Sequence, residues 1–234
     1  MRGAAISLCL LGLLAGAGES AAGEPGSPPP AWLVFGGVSA GADYAASYTG
    51  AIFAPGGDLW QPGLRLRPAV TAGFYGTGPE DGRRTVGYAS TALLAGWQVA
   101  TGDRALAVHG GAEAVYFAGS DPPHFAAGWH LGVKVLAEAS LQLSERTSLE
   151  GHVGYGSAWR RFEASAKLLT RVAGPWRAGP AASFFDKPDG RDLRLGVAIM
   201  RRQPRSGLSI SAGLSLEQDK SATPYLGIGL DHSF

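Results

Sequence analysis

Cysteine, charge and long hydrophobic runs are all scarce in this 234-residue chain. The single cysteine, Cys9, lies near the amino terminus, so the remainder has no thiol for a disulfide or a thiolate metal site. Charged residues make up 17% of the sequence, against about a quarter in an average globular protein. Basic residues cluster only in pairs such as Arg83-Arg84, and the net charge is +1. Nucleic acid is therefore excluded as an expected partner.

The amino terminus has the composition of a secretory signal peptide. Arg2 supplies a positive charge, and Ala4–Ala17 is an apolar stretch too short to span a bilayer. Small residues at Ser20–Ala22 offer a cleavage site, which predicts a signal peptide over residues 1–22. Residues 23–31, rich in Gly and Pro, are then a flexible leader. No later apolar run is long enough for a membrane helix, so a membrane-embedded mature chain would be a barrel.

The last twelve residues, Thr223–Phe234, show a strict alternation. Leu, Ile, Leu, His and Phe occupy every second position from Leu226, with Gly, Gly, Asp and Ser between them. Because side chains alternate between faces along a strand, one face is apolar and the other polar. A last strand that ends on an aromatic residue is typical of bacterial outer-membrane barrels. Phe234 is thus predicted to be the assembly signal that the barrel-insertion machinery reads, although an edge strand of a soluble sandwich would show the same alternation.

Residues 32–234 are predicted to form one domain of alternating segments separated by turn residues. The expected fold is all-β: a single transmembrane antiparallel β-barrel of about twelve strands, with ten as the alternative count. An even number places both termini on the periplasmic side. A soluble sandwich is the rival fold. It is disfavoured because the polar faces are rich in Gly, Ala and Ser and because most Trp residues lie near strand ends, as in an interfacial girdle.

Two strands differ from the rest in how their residues are assigned to faces. Thr85–Val99 has no assignable face, because Leu93 and Leu94 break its alternation. In Ser148–Trp159 the parity of the apolar residues places Trp159 on the outer face.

Charged residues on the predicted inner faces are the candidate site. They have two interpretations: they pair with one another and solvate a filled lumen, or they line a path for a polar polymer or solute. Gly73, Tyr75 and the Trp residues could add a sugar-stacking surface. The inner-face residues are Arg65, Arg67, Lys134, Glu138, Glu150, His152, Glu163, Lys167, Arg171, Asp192 and Arg194.

The strand register follows from the turns. Across Ser144–Thr147, Glu138 is predicted to lie opposite His152. A two-residue turn near Arg160-Arg161 would place Glu150 opposite Arg171 and Gly154 opposite Lys167.

Catalysis is not expected. Barrel enzymes that act on lipids pair a histidine base with a serine nucleophile, typically as His-x-Ser along one strand. None of the five histidines has this context, although partners from different strands remain an alternative; they are His109, His124, His130, His152 and His232. No cofactor and no metal site are predicted. Asp121–His124 is interpreted as a proline-stiffened outer loop, with a metal site as the less favoured alternative.

Several short segments resemble a known family. They are Trp32–Ala40, Gly57–Leu59 followed by Leu64–Arg67, Leu93–Val99 with Gly102-Asp103, Gly110–Glu113, Gly132–Val135 and Gly179–Ala182. Together they resemble the BcsS family of cellulose-biosynthesis proteins over most of residues 32–200. The resemblance implies a non-enzymatic outer-membrane protein of Gram-negative bacteria, in contact with lipid and with cellulose-synthesis or export components or the glucan itself. It implies no catalytic residues. A general small-solute porin and a lipid-modifying barrel enzyme are the alternatives.

Overall fold

Twelve antiparallel strands close into one barrel, in which β12 pairs with β1. The computed structural model describes residues 29–77, 84–101, 104–118, 126–188, 190–218 and 220–234. The strands are β1 (Trp32–Gly41), β2 (Tyr44–Phe53), β3 (Gly63–Thr77), β4 (Arg84–Thr101), β5 (Arg104–Ala118), β6 (Gly128–Gln142), β7 (Thr147–Gly156), β8 (Arg161–Ala173), β9 (Trp176–Lys187), β10 (Gly190–Arg202), β11 (Ser206–Glu217) and β12 (Thr223–Ser233). This closure confirms the predicted barrel and strand count and excludes the sandwich.

Some predictions fall outside the described residues. They concern the signal peptide, most of the leader and the loop with Asp121–His124. Within the described ranges there is no helix that could cross a membrane.

The two faces of the wall alternate as the sequence predicts. In β6, Trp129, Leu131, Val133 and Val135 are exposed on the outside, whereas Leu136 is buried inside. In β12 the exposed outer residues are Leu226, Ile228 and Leu230. β4 follows the same rule: Leu93 is 63% exposed and Leu94 only 2%. The two adjacent leucines broke the apparent alternation because Leu94 is an apolar residue on the inner face.

Trp159 is not on the outer face, and that prediction is wrong. β7 ends at Gly156, and residues 157–160 form the turn to β8. Arg160 in this turn has a φ of 49°, a left-handed conformation that is uncommon for a residue with a side chain. The turn interrupts the strand alternation and directs Trp159 into the barrel, where it is 5% exposed.

The same turn fixes the register of β7 and β8. On the other side of β7, Glu138 of β6 pairs with His152, as predicted. Glu150, however, pairs with Lys167 and Gly154 with Glu163, so the predicted partners Arg171 and Lys167 are wrong. The turn is centred earlier in the chain than the predicted turn near Arg160-Arg161, and every pair shifts accordingly.

The end of the barrel that carries both chain termini, here the near end, is partly covered by the segment 54–62 between β2 and β3. Pro30 and Ala31 pack against this segment: Leu59 N–H donates to Pro30 (2.9 Å) and Ala54 N–H donates to Ala31 (2.9 Å). The Ala31 N–H also donates to Phe234 O (2.8 Å). These last two residues of the predicted leader therefore belong to the barrel structure.

Candidate functional site: the barrel lumen

Ion pairs join strands that are not neighbours in the wall. Arg67 Nη1 on β3 lies 2.7 Å from Glu138 Oε2 on β6. Arg202 Nη2 on β10 lies 3.1 Å from Glu150 Oε1 on β7. Since two strands separate the partners in each pair, these side chains reach through the inside of the barrel. The lumen is therefore partly filled by paired charges.

Arg65 has a different position from the other predicted lumen residues. It is 2% exposed, and its guanidinium donates to the carbonyl oxygens of Leu59 (3.0 Å) and Asp58 (3.2 Å) in the segment 54–62. The Gln98 amide donates to the same Leu59 oxygen (2.8 Å). Arg65 thus anchors the near-end segment rather than presenting a free charge to the lumen.

Lys167 and Arg171 occupy the same strand, β8, at different depths. Lys167 is half-buried directly opposite Glu150, whereas Arg171 is exposed where β8 becomes irregular. The structure therefore brings Lys167 into the charged lumen and places Arg171 at the rim.

Two inward residues of β5, His109 and Glu113, were not among the predicted site residues. Both are buried, and His109 Nε2 lies 3.5 Å from Glu138 Oε2. Val115 and Phe117 share their face and are fully buried, so the inner face of β5 mixes polar and apolar residues and has no simple pattern in the sequence. The pairing of Gly111 with the inward Lys134 identifies this face in the structure.

A second charged cluster lies farther from the near end. Glu163 accepts from Lys134 Nζ (3.0 Å), and its other oxygen lies 3.1 Å from Arg161 Nη2. On the opposite wall Arg194 lies 2.7 Å from Asp192. Each inward acid named in these pairs has a basic partner, so these paired clusters carry little field of one sign.

Arg161 and Arg194 belong to a stack of rings and guanidinium groups that crosses the lumen. Arg161 lies over Trp159 (5.0 Å) and over Phe185 (4.8 Å), measured from its guanidinium carbon to each ring centre. Arg194 lies over Phe185 (4.7 Å) and over Tyr44 (3.9 Å). We call Trp159, Arg161, Phe185, Arg194 and Tyr44 the stacked ladder. Cation–π contacts of this kind are favourable and become stronger where water is excluded.

Further aromatic rings surround Trp159 and fill the side of the far half that β3, β4 and β5 line. Its ring centre lies 6.0 Å from Tyr75, 4.5 Å from Tyr88 and 5.5 Å from Phe117. This cluster is buried and reaches the ends of β3, β4 and β5. Tyr75 is therefore covered by protein and does not form the open sugar-stacking surface that the sequence suggested.

Part of the near half of the lumen is open, although Leu169 and Met200 are buried there, and we call the open part the vestibule. Its inner wall includes Tyr48, which is 41% exposed although it points inward, and Arg202 and Asp231, which are also exposed. The vestibule lies between the segment 54–62 and the stacked ladder.

Ser165 and His152 meet from neighbouring strands, the arrangement that a search for His-x-Ser in one strand does not detect. Ser165 Oγ and His152 Nδ1 are 2.9 Å apart. Nucleophilic catalysis would also need donors for an oxyanion, usually free backbone N–H groups. Ser165 pairs with His152 on one side and Ser183 on the other, which commits the local backbone to the sheet. The contact is therefore best explained as a hydrogen bond of the lumen wall.

Solved structures with the same fold include an outer membrane channel, a porin and the beta domain of an autotransporter. The COG4313 outer membrane channel from Pseudomonas putida F1 superposes with a TM-score of 0.57 at 12% identity, covering 91% of this chain and 100% of that chain. The KdgM porin superposes with a TM-score of 0.53 at 6% identity, covering 86% of this chain and 99% of that chain. The beta domain of the Bordetella autotransporter BrkA superposes with a TM-score of 0.51 at 13% identity, covering 89% of this chain and 100% of that chain. These likenesses show a shared fold.

No curated protein sequence matches the chain. The family model for cellulose biosynthesis protein BcsS, in contrast, matches residues 33–234, which is the whole barrel except the first residue of β1. The chain belongs to the BcsS family of cellulose biosynthesis proteins.

Proposed function

We propose that this protein is a non-enzymatic outer-membrane barrel that assists cellulose synthesis or export. In this role the near end faces the periplasm and the far end faces the outside of the cell. Glycosyl transfer belongs to a separate inner-membrane synthase. The partners are outer-membrane lipid, the barrel-insertion machinery and either the export components or the glucan.

The family match over residues 33–234 is the observation that carries this proposal. It covers the barrel wall and every inward charge described above. The apolar outer face supports residence in lipid, because a spanning barrel must present apolar side chains to the hydrocarbon. The fold of the channel and porin relatives supports the same location.

A general small-solute porin is less well supported. A porin needs an open aqueous path through the barrel. Here the stacked ladder and the aromatic cluster around Trp159 occupy the far half, and Trp159 and Phe117 are buried. A far half that side chains partly fill favours an accessory role over diffusion of solutes.

Deletion of the gene tests the role in cellulose formation. Cells without the protein should release less extracellular cellulose, whereas glucan synthesis by their isolated inner membranes should be unchanged. A fall in both quantities would place the protein with the synthase itself. No change in either would remove the accessory role.

A further inference from the structure

We propose that the vestibule holds a binding site for a segment of uncharged glucan, with the Tyr48 ring as its stacking surface. The site rests on the proposed function, because the sugar polymer is inferred from the family's role in cellulose biosynthesis. The geometry of Tyr48 and the charge balance of the vestibule support a neutral sugar as the ligand.

The Tyr48 side chain lies along the inner wall instead of projecting into the lumen. A Cβ on Gly37 would come within 2.7 Å of the Tyr48 hydroxyl, and a Cβ on Gly229 within 3.0 Å. Gly37 belongs to β1 and Gly229 to β12, so the ring reaches from β2 across two neighbouring strands. Glycine at both positions leaves room for this close approach.

The ring remains uncovered despite this contact with the wall. Tyr48 is 41% exposed inside the barrel, and Phe35 lies beside it, with ring centres 6.4 Å apart and tilted planes. The Phe35 face is already covered by the Arg67 guanidinium, 4.7 Å from its centre. Tyr48 thus offers the open aromatic surface of the vestibule, and such surfaces bind flat apolar groups such as the C–H face of a pyranose ring.

Polar groups stand around the ring at positions suited to sugar hydroxyls. The Ser209 hydroxyl lies 2.8 Å from the Cβ position of Gly229, beside the ring. Asp231 is exposed two residues farther along β12, and the Glu138 side chain is 32% exposed on the opposite wall. A few hydroxyl and carboxylate groups around an apolar surface are the usual composition of a small-molecule site.

The charges of the vestibule favour an uncharged ligand. Arg67 is paired with Glu138, and Arg202 with Glu150, while Lys167 and Asp231 add one further charge of each sign. Arg177, also in the near half, donates to Gln142 and Ser148. An acidic oligosaccharide would have to compete with these carboxylates for the same guanidinium groups, whereas a neutral chain does not disturb the pairs. The expected ligand is therefore neutral glucan rather than a polyanion.

Calorimetric titration of the refolded full-length protein in detergent micelles tests the site, with cellohexaose as the neutral probe and oligogalacturonate as the acidic probe. The wild type should bind cellohexaose more tightly than oligogalacturonate. Tyr48→Leu should weaken cellohexaose binding about tenfold or more, and Tyr48→Phe, which keeps the ring, should remain close to wild type. Tyr155→Leu is the matched control, because Tyr155 is similarly exposed (43%) but lies on the outer face.

Heat-modifiable migration on gels checks that each variant forms a closed barrel. If Tyr48→Leu does not, Ser209→Leu takes its place, since a branched side chain beside the ring should also lower the affinity. Absence of cellohexaose binding, equal binding by Tyr48→Leu, or tighter binding of oligogalacturonate would each overturn the site. The deletion strain separates the two hypotheses: reduced cellulose in cells, combined with no cellohexaose binding, leaves the accessory role standing and removes the glucan site.

Discussion

The guanidinium carbon of Arg194 lies 3.9 Å from the ring centre of Tyr44. This contact joins β10 to β2 from the inside, across the width of three intervening strands. Through Phe185 it continues to Arg161 and Trp159, so the far half of the lumen is crossed by one continuous stack.

Removal of the stacked ladder should open the barrel to ions. The double variant Arg194→Ala/Phe185→Ala removes two central members of the stack, and its single-channel conductance in a planar bilayer should be several-fold above wild type. Phe184→Ala is the control. Phe184 is next to Phe185 in the chain but lies on the outer face, where it contacts Phe162. Wild-type conductance as large as that of the double variant would show that the ladder does not obstruct the path.

The outer face should tolerate charge poorly. Val135 is exposed on the outside of β6 between Gly110 and Tyr155 of the flanking strands. Val135→Arg should lower the free energy of unfolding in lipid by roughly 2–4 kcal/mol if it lies near the midplane. Glu150→Ala should change it by only about 0–1 kcal/mol, because its partner Arg202 is 53% exposed and is solvated without the carboxylate. Denaturant titrations in lipid vesicles measure both, and the opposite order would invert the assignment of the faces.

Deletion of Phe234 should lower the amount of assembled barrel severalfold without changing the lumen. The residue is exposed at the end of β12, and its backbone N–H donates to Trp32 O (2.8 Å). The measured quantity is the heat-modifiable fraction in outer membranes. Trp60→Ala, which removes another exposed aromatic side chain at the same end, is the control. Equal loss in both variants would indicate a general effect of aromatic residues rather than a terminal signal.

Replacement of Arg65 should release the segment 54–62. Arg65→Met leaves the Asp58 and Leu59 carbonyl oxygens without their charged donor, at a cost of about 3 kcal/mol. Chymotrypsin should then cut near Trp60 faster than in wild type, while the barrel stays closed on gels. Arg202→Met removes an exposed guanidinium at the same end and should leave the cleavage rate unchanged. Equal cleavage of Arg65→Met and wild type would show that Arg65 is not the anchor.

The mature protein should fractionate with the outer membrane and migrate differently on gels before and after boiling. A closed barrel satisfies its backbone hydrogen bonds internally and resists detergent until heated. Fractionation of unheated and heated samples provides the measurement. Recovery as a soluble periplasmic monomer would contradict residence in the membrane.

The wall of the barrel could be predicted from sequence because each strand has a simple period. In β6 and β12 the outer residues are apolar except His232, the inner residues are mostly small or polar with Leu136 as an exception, and the structure retains that alternation. The inner faces of β4 and β5 were harder to predict from sequence, for a physical reason. Leu94, Val115 and Phe117 are apolar on the inner face, where they pack against other protein side chains instead of water.

The contents of the lumen could not be predicted in the same way. The position of Trp159 depends on the turn after Gly156 and on the left-handed Arg160, neither of which has a period. The contacts of Arg161 and Arg194 with Phe185 join β8, β9 and β10, and the contact of Arg194 with Tyr44 requires the barrel to be closed. Which inward side chains meet is a property of the closed ring of strands.

The pairing of β1 with β12 has a consequence for how the protein is made. This seam joins the two strands that are farthest apart in the chain, so it can form only after every intervening strand is in place. Until then both edges present unpaired N–H and C=O groups, which hydrocarbon does not tolerate. Every partly inserted form therefore leaves backbone N–H and C=O groups without hydrogen-bond partners. The yield of barrel is therefore decided by a competition in time, between closure of the seam and loss of the open sheet to proteolysis or aggregation.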